Sequence, residues 1–124
     1  MAKPVALPKP NSLLRPALSL SFWAGLVLVT LLGLLPGSSL PQALLFWDKA
    51  QHGLAFALLA LIGCFAFPRS LPAVLLGLIL HGAIIEVLQS LLQLGRYGDV
   101  YDSLADTLGV LIGYSVYQLS LKRP

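Results

Sequence analysis

The sequence predicts an all-α polytopic membrane protein, a bundle of four transmembrane helices with both termini cytoplasmic. Three observations lead there. Hydrophobic residues make up 57% of the 124 and charged residues only 10%, with a mean hydropathy of +0.85, whereas soluble domains carry about 25% charge. Asp, Glu, Lys and Arg are absent from residues 16–47, 50–68, 70–85 and 107–121. With their flanks, these gaps supply four segments near the roughly 20 apolar residues that a spanning helix needs. The basic residues, finally, collect at alternate ends of the segments, as the positive-inside rule requires of loops on one side of a membrane.

Residues 1–16 read as a basic cytoplasmic tail, with Lys3, Lys9 and Arg15 among four prolines, a composition that resists helix. The first span is expected at about residues 17–35, closed by the breaker Pro36-Gly37. A cleaved signal peptide is the rival reading of this start, but the apolar run exceeds the usual 7–15 residues. An uncharged loop follows, ending in Phe46-Trp47, a pair suited to anchoring at the interface. The second span is expected at about 48–67, then a tight turn through Pro68 and Pro72. The third follows at about 72–93, a short polar loop at 94–101, and the fourth at about 102–121. Residues 17–121 thus form one membrane domain, and 122–124 a short basic tail.

Lys3, Lys9, Arg15, Arg69, Lys122 and Arg123 fall on one side of this arrangement, and only Lys49 and Arg96 on the other. Both termini are therefore expected in the cytoplasm, in the inner (plasma) membrane, with an even number of crossings. The net charge of +3 and pI near 9.3 do not indicate nucleic acid, because the bases flank apolar runs and form no basic face. Cys64 stands alone inside the second run, which excludes an internal disulfide and leaves it a packing role.

The same threading brings all five carboxylates (Asp48, Glu86, Asp99, Asp102 and Asp106) to the extracytoplasmic end. Asp48 and His52 are four residues apart, so they share a helix face with Lys49 alongside. Glu86 and Gln89 share a face of the third span. Asp102, Asp106, Gly109 and Gly113 form a stripe at spacings of 4, 3 and 4, whose small residues permit close helix approach. Arg96 and Asp99 lie in the loop above. Glu86 is about seven residues inside the third span, or ~10 Å at 1.5 Å per residue. An ionised carboxylate facing lipid there would cost at least ~2 kcal/mol, so Glu86 is expected to face inward. Acids outnumber permanent cations at this end, which favours a cation, a proton or an amine-bearing ligand.

The pieces Asp48-Lys49-x-x-His52 with Phe56, Glu86-x-x-Gln89, Gly95-Arg96 and Asp102-x-x-x-Asp106-x-x-Gly109-x-x-x-Gly113 resemble the VanZ-like membrane proteins over residues 46–114. That resemblance implies a bacterial envelope protein of few spans, and its namesake gives resistance to the glycopeptide teicoplanin. One departure is Asp106, where the family usually has Asn, which adds a carboxylate to the site. The polar residues Asp48, Lys49, His52, Glu86, Gln89, Arg96, Asp99, Asp102 and Asp106 are accordingly the candidate site.

Plainer roles compete at each position. Asp48 and Asp102 could be helix caps, Lys49 a snorkelling cation, Arg96 a neutraliser of Asp99 or Asp102, and Glu86 and Gln89 interhelical glue. His81, five residues from Glu86 on another face, is expected to bond a neighbouring helix. Gly109 and Gly113 pack helices, and Trp23, Trp47, Tyr97 and Tyr101 anchor at interfaces or pack.

Three functions remain open: a binding protein for a cell-wall, lipid-linked or glycopeptide ligand, a small membrane enzyme, or a proton- or cation-coupled transporter. The first is favoured, because no metal motif such as His-Glu-x-x-His and no nucleophile beside a base is present, nor an inverted repeat. No cofactor is expected. The partners expected are the bilayer and that ligand, with a homo-oligomer left open and nucleic acid excluded. If a metal bound, His52, Glu86 and Asp106 would be its ligands.

Overall fold

A computed structural model describes residues 2, 13–39, 41, 48–93, 95 and 99–123. These residues form four α-helices, α1 (Leu14–Leu34), α2 (Asp48–Ala66), α3 (Leu71–Leu92) and α4 (Val100–Leu121), with a short 3₁₀ turn at Gly37–Ser39. No strand occurs among them. Three helices, α1, α2 and α3, are long and apolar enough to cross a membrane. α4 is as long as α3 at 22 residues, which at 1.5 Å each gives ~33 Å, but it carries Asp102 and Asp106 in its first two turns.

Local sequence sets the helix ends. α1 starts at Leu14 rather than after the expected tail of residues 1–16, so Arg15 and Pro16 lie in its first turn. Proline is tolerated there because the first N–H groups of a helix have no intrahelical acceptor. α1 stops where Leu35 turns extended (φ −67°, ψ 141°), the conformation that a following proline imposes. α2 has Asp48 in its first turn, next to the positive end of the helix. The α2–α3 turn is closed by Ser70 N–H donating to the Phe67 carbonyl at 3.0 Å, and Pro72 enters α3 in its opening turn. α3 ends with Gln93 in the left-handed region (φ 48°). At α4 the cap is Asp99, whose side chain accepts from the Tyr101 N–H at 2.9 Å. Asp102, a candidate cap by sequence, instead lies within the helix and is buried.

α2 and α4 make the most extensive contact and form the middle of the bundle, with α1 against α2 and α3 reaching both. Glycine makes the α2–α4 approach possible. A Cβ at Gly109 would run into the Gly53 carbonyl, and one at Gly113 into the Ala57 carbonyl. Phe56, Ala60 and Val110, fully buried, form the core with Phe22, Leu59, Val74, Leu78 and Ile85. The outward faces are also apolar: Leu20, Val27, Leu28, Leu31, Leu76, Leu80 and Leu108 are all exposed. Exposed apolar surface this continuous is untenable in water and suits acyl chains.

Candidate functional site

Six candidate residues meet where α2 and α4 begin, near the end of α3. Lys49, in the first turn of α2, donates to Asp99 Oδ2 at 3.0 Å and to Asp102 Oδ1 at 3.1 Å. One ammonium thus joins the starts of two helices, and its side chain is 55% exposed against 6% for Asp102. An exposed pair such as Lys49–Asp99 contributes little because water screens it, so the half of the bridge that matters is the one reaching Asp102. Tyr101 N–H first, and Lys49 second, hold the Asp99 carboxyl below its ordinary range.

Beneath this rim the second layer is His52, on the same face of α2 as Asp48. Its Nδ1 lies 3.1 Å from Asp106 Oδ1 and its Nε2 3.5 Å from Asp48 Oδ1. Asp106 is 1% exposed and Glu86 6%. Glu86 Oε2 accepts the backbone N–H of Asp99 at 2.9 Å, so α3 reaches across to the cap of α4. Room for the Asp106 carboxyl comes from Gly82, where a Cβ would stand 2.7 Å from Oδ2. Glu86 Oε1 and Asp106 Oδ2 are buried and have no hydrogen-bond donor among the described residues. Leaving a buried polar group unpaired costs about 1–3 kcal/mol, and more if it is charged. His52, Glu86 and Asp106 each offer one ligand atom, and these atoms lie within 4.8 Å of one another.

Asp48 stands at the edge of this group, in reach of His52. Gln89 stands apart from it: its Nε2 donates to the Gly33 carbonyl at 2.7 Å, tying α3 to the last turn of α1. Arg96 lies outside the described residues, as do Trp47 and Tyr97. Sequence reasoning missed two participants. Gly82 is one, because a glycine in an apolar helix carries no sign of what fills its missing side chain. The Asp99 main-chain N–H is the other, since backbone donors leave no trace in composition.

The opposite half of the bundle is apolar. A cleft of about 320 Å³ there is lined by Phe22, Trp23, Phe67, Val74, Gly77 and His81. Phe22, Trp23 and Phe67 meet edge-to-face at 5.3 to 6.4 Å. His81 bonds α1, as expected, through Thr30 Oγ1 at 2.7 Å. Thr30 also lies 2.8 Å from the Leu26 carbonyl, to which only its hydroxyl can donate, so His81 Nε2–H is the donor to Thr30.

An all-helical chain with three helices fit to cross a bilayer, an apolar exterior and its acids drawn to one end is a helical membrane protein. The profile of the VanZ/LLP1 family matches residues 12–121, nearly the whole chain, and the chain belongs to that family. No curated protein and no solved structure matches it.

Proposed function

We propose that this VanZ/LLP1-family chain is a four-span protein of the bacterial plasma membrane, with both termini in the cytoplasm. Its extracytoplasmic acidic end would bind an amine-bearing cell-wall, lipid-linked or glycopeptide ligand of the teicoplanin type. The observation that supports this best is the charge balance of the site. Five carboxylates share Lys49 as the permanent cation and His52 as a titratable neighbour among the described residues, and two buried carboxylate oxygens are left without a donor. Such a site favours a positive group and disfavours a phosphate.

The test is teicoplanin binding by the purified chain in lipid nanodiscs, alongside the teicoplanin susceptibility of cells that express it. Glu86→Gln keeps the shape and the acceptor for Asp99. It is expected to weaken binding by about 30-fold or more, the equivalent of ~2 kcal/mol for a desolvated charge contact, with unchanged abundance in the membrane. Equal binding by the variant, or none by the native chain, would overturn the reading.

A further inference from the structure

We propose that His52, Glu86 and Asp106 form a binding site for a single divalent transition-metal ion, Zn²⁺ or Mn²⁺, at the floor of the acidic end. The inference draws on the same two donorless carboxylate oxygens as the reading above, and an ion there would supply the positive charge which that reading assigns to an amine.

The argument begins with the pair His52 Nδ1 and Asp106 Oδ1, 3.1 Å apart. A neutral imidazole whose Nε2–H faces Asp48 turns the Nδ1 lone pair toward the Asp106 carboxylate. Two lone pairs at that distance repel unless a positive centre lies between them. A proton is one such centre. However, a proton on His52 gives no hydrogen bond to Glu86 Oε1 or Asp106 Oδ2, which are buried and lack a donor among the described residues. An ion serves all three residues at once. Zn²⁺ bonded at about 2.0–2.2 Å to nitrogen and oxygen holds neighbouring donors ~3.3–3.5 Å apart. The His52–Asp106 separation of 3.1 Å falls slightly short of this and the full set lies within 4.8 Å, so the side chains would have to adjust in both directions to close around the ion.

The surroundings are those of a metal site. A ligating histidine normally gives its other ring N–H to a carboxylate, and a ligating carboxylate is itself hydrogen-bonded. Asp48 faces His52 Nε2 at 3.5 Å, and the Asp99 N–H holds Glu86 Oε2 at 2.9 Å. Two carboxylates balance a divalent charge. One imidazole added to them favours Zn²⁺ over Mg²⁺ or Ca²⁺, which prefer all-oxygen sets, while the two carboxylates suit Mn²⁺. Three protein ligands leave a coordination position open, the arrangement of zinc sites that hold a water or another molecule.

The experiment uses the full chain in nanodiscs, stripped with a chelator and titrated with Zn²⁺ and Mn²⁺ against a fluorescent competitor. One ion per chain is expected, and addition of the ion should raise the melting temperature. Glu86→Gln, His52→Ala and Asp106→Asn should each weaken binding at least as much as loss of an outer-sphere partner does, about 10–100-fold, and abolish the thermal shift. Gly82→Ala touches no ligand atom directly but crowds Asp106 Oδ2, and it should weaken binding as well. If a ligand variant fails to fold, this substitution and the native titration decide the matter. Thr30→Val, at the far hydrogen bond with His81, should bind like the native chain. No stoichiometric ion in the native protein, or equal affinity in the four site variants, overturns the proposal. Loss of the ion with teicoplanin binding intact removes the metal alone, whereas an ion bound without teicoplanin binding removes the earlier reading alone.

Discussion

Asp99 shows how much one residue can join. Its backbone N–H reaches Glu86, one carboxyl oxygen caps α4 at Tyr101, and the other takes Lys49. Because its folded form holds the proton less tightly than the unfolded chain does, its contribution is present above the ordinary carboxylate range. That contribution fades as the pH falls through the lowered value. Acid melting curves of native chain and Asp99→Asn should therefore converge at low pH and separate at neutral pH, with the native protein the more stable. Curves separated equally at every pH would show that Asp99 acts by shape alone. Asp99 reads from the sequence as a loop acid. Its capping role was not legible, because Asp102 is as good a cap by residue type and only the backbone path shows which of the two precedes the first turn.

At the scale of helices, most of the fold could be read from where charge is missing. Charge gaps and helices overlap but share only some of their ends: α1 stops well before its gap does, ahead of Pro36, while α3 and α4 run past theirs to carry Glu86, Asp102 and Asp106. The stripe at 102, 106, 109 and 113 was legible for the same kind of reason: its 4-3-4 spacing is one helix face, and all four residues are buried. What that spacing could not give was the partner helix. The structure supplies α2, with Gly53 and Ala57 set against Gly109 and Gly113. Their obstacles are backbone carbonyls, which cannot rotate away as a side chain can. Gly109→Ala is therefore expected to destabilise the chain by at least ~1–3 kcal/mol, read as a lower melting temperature in micelles, while Gly77→Ala, with open space around its missing Cβ, should be close to neutral. Lys49 was harder to place. A long flexible cation beside an interface reads as snorkelling, yet it spans two helix starts because Asp99 and Asp102 face it.

For the molecule as a whole, the hydrogen bonds order the ends. Lys49, Glu86 and Asp99 link the start of α2, the later part of α3 and the start of α4, and Gln89 brings the last turn of α1 to the same side. Arg15, Arg69 and Lys122 then fall at the other end, in or beside the opposite termini of the helices. In the proposed orientation, single cysteines introduced at Lys49 and Asp99 should react with an impermeant thiol reagent added to intact cells. Cysteines at Arg69 and Lys122 should react only after the cells are opened, with buried Cys64 silent throughout. Labelling of Lys49 and Arg69 positions from the same side would rule out the four-span threading.

The antiparallel order also makes the acids unequal. Asp48 and Asp102 stand in opening turns, where a helix presents its positive pole. Glu86 rides on a helix running the other way, six residues short of Leu92, with the amides around it committed to their own ladder. Four of the acids thus lie on helices that begin here or on the residue that caps one. The fifth hangs on an amide borrowed from a neighbour, and the positive ligand proposed above would have most to offer there.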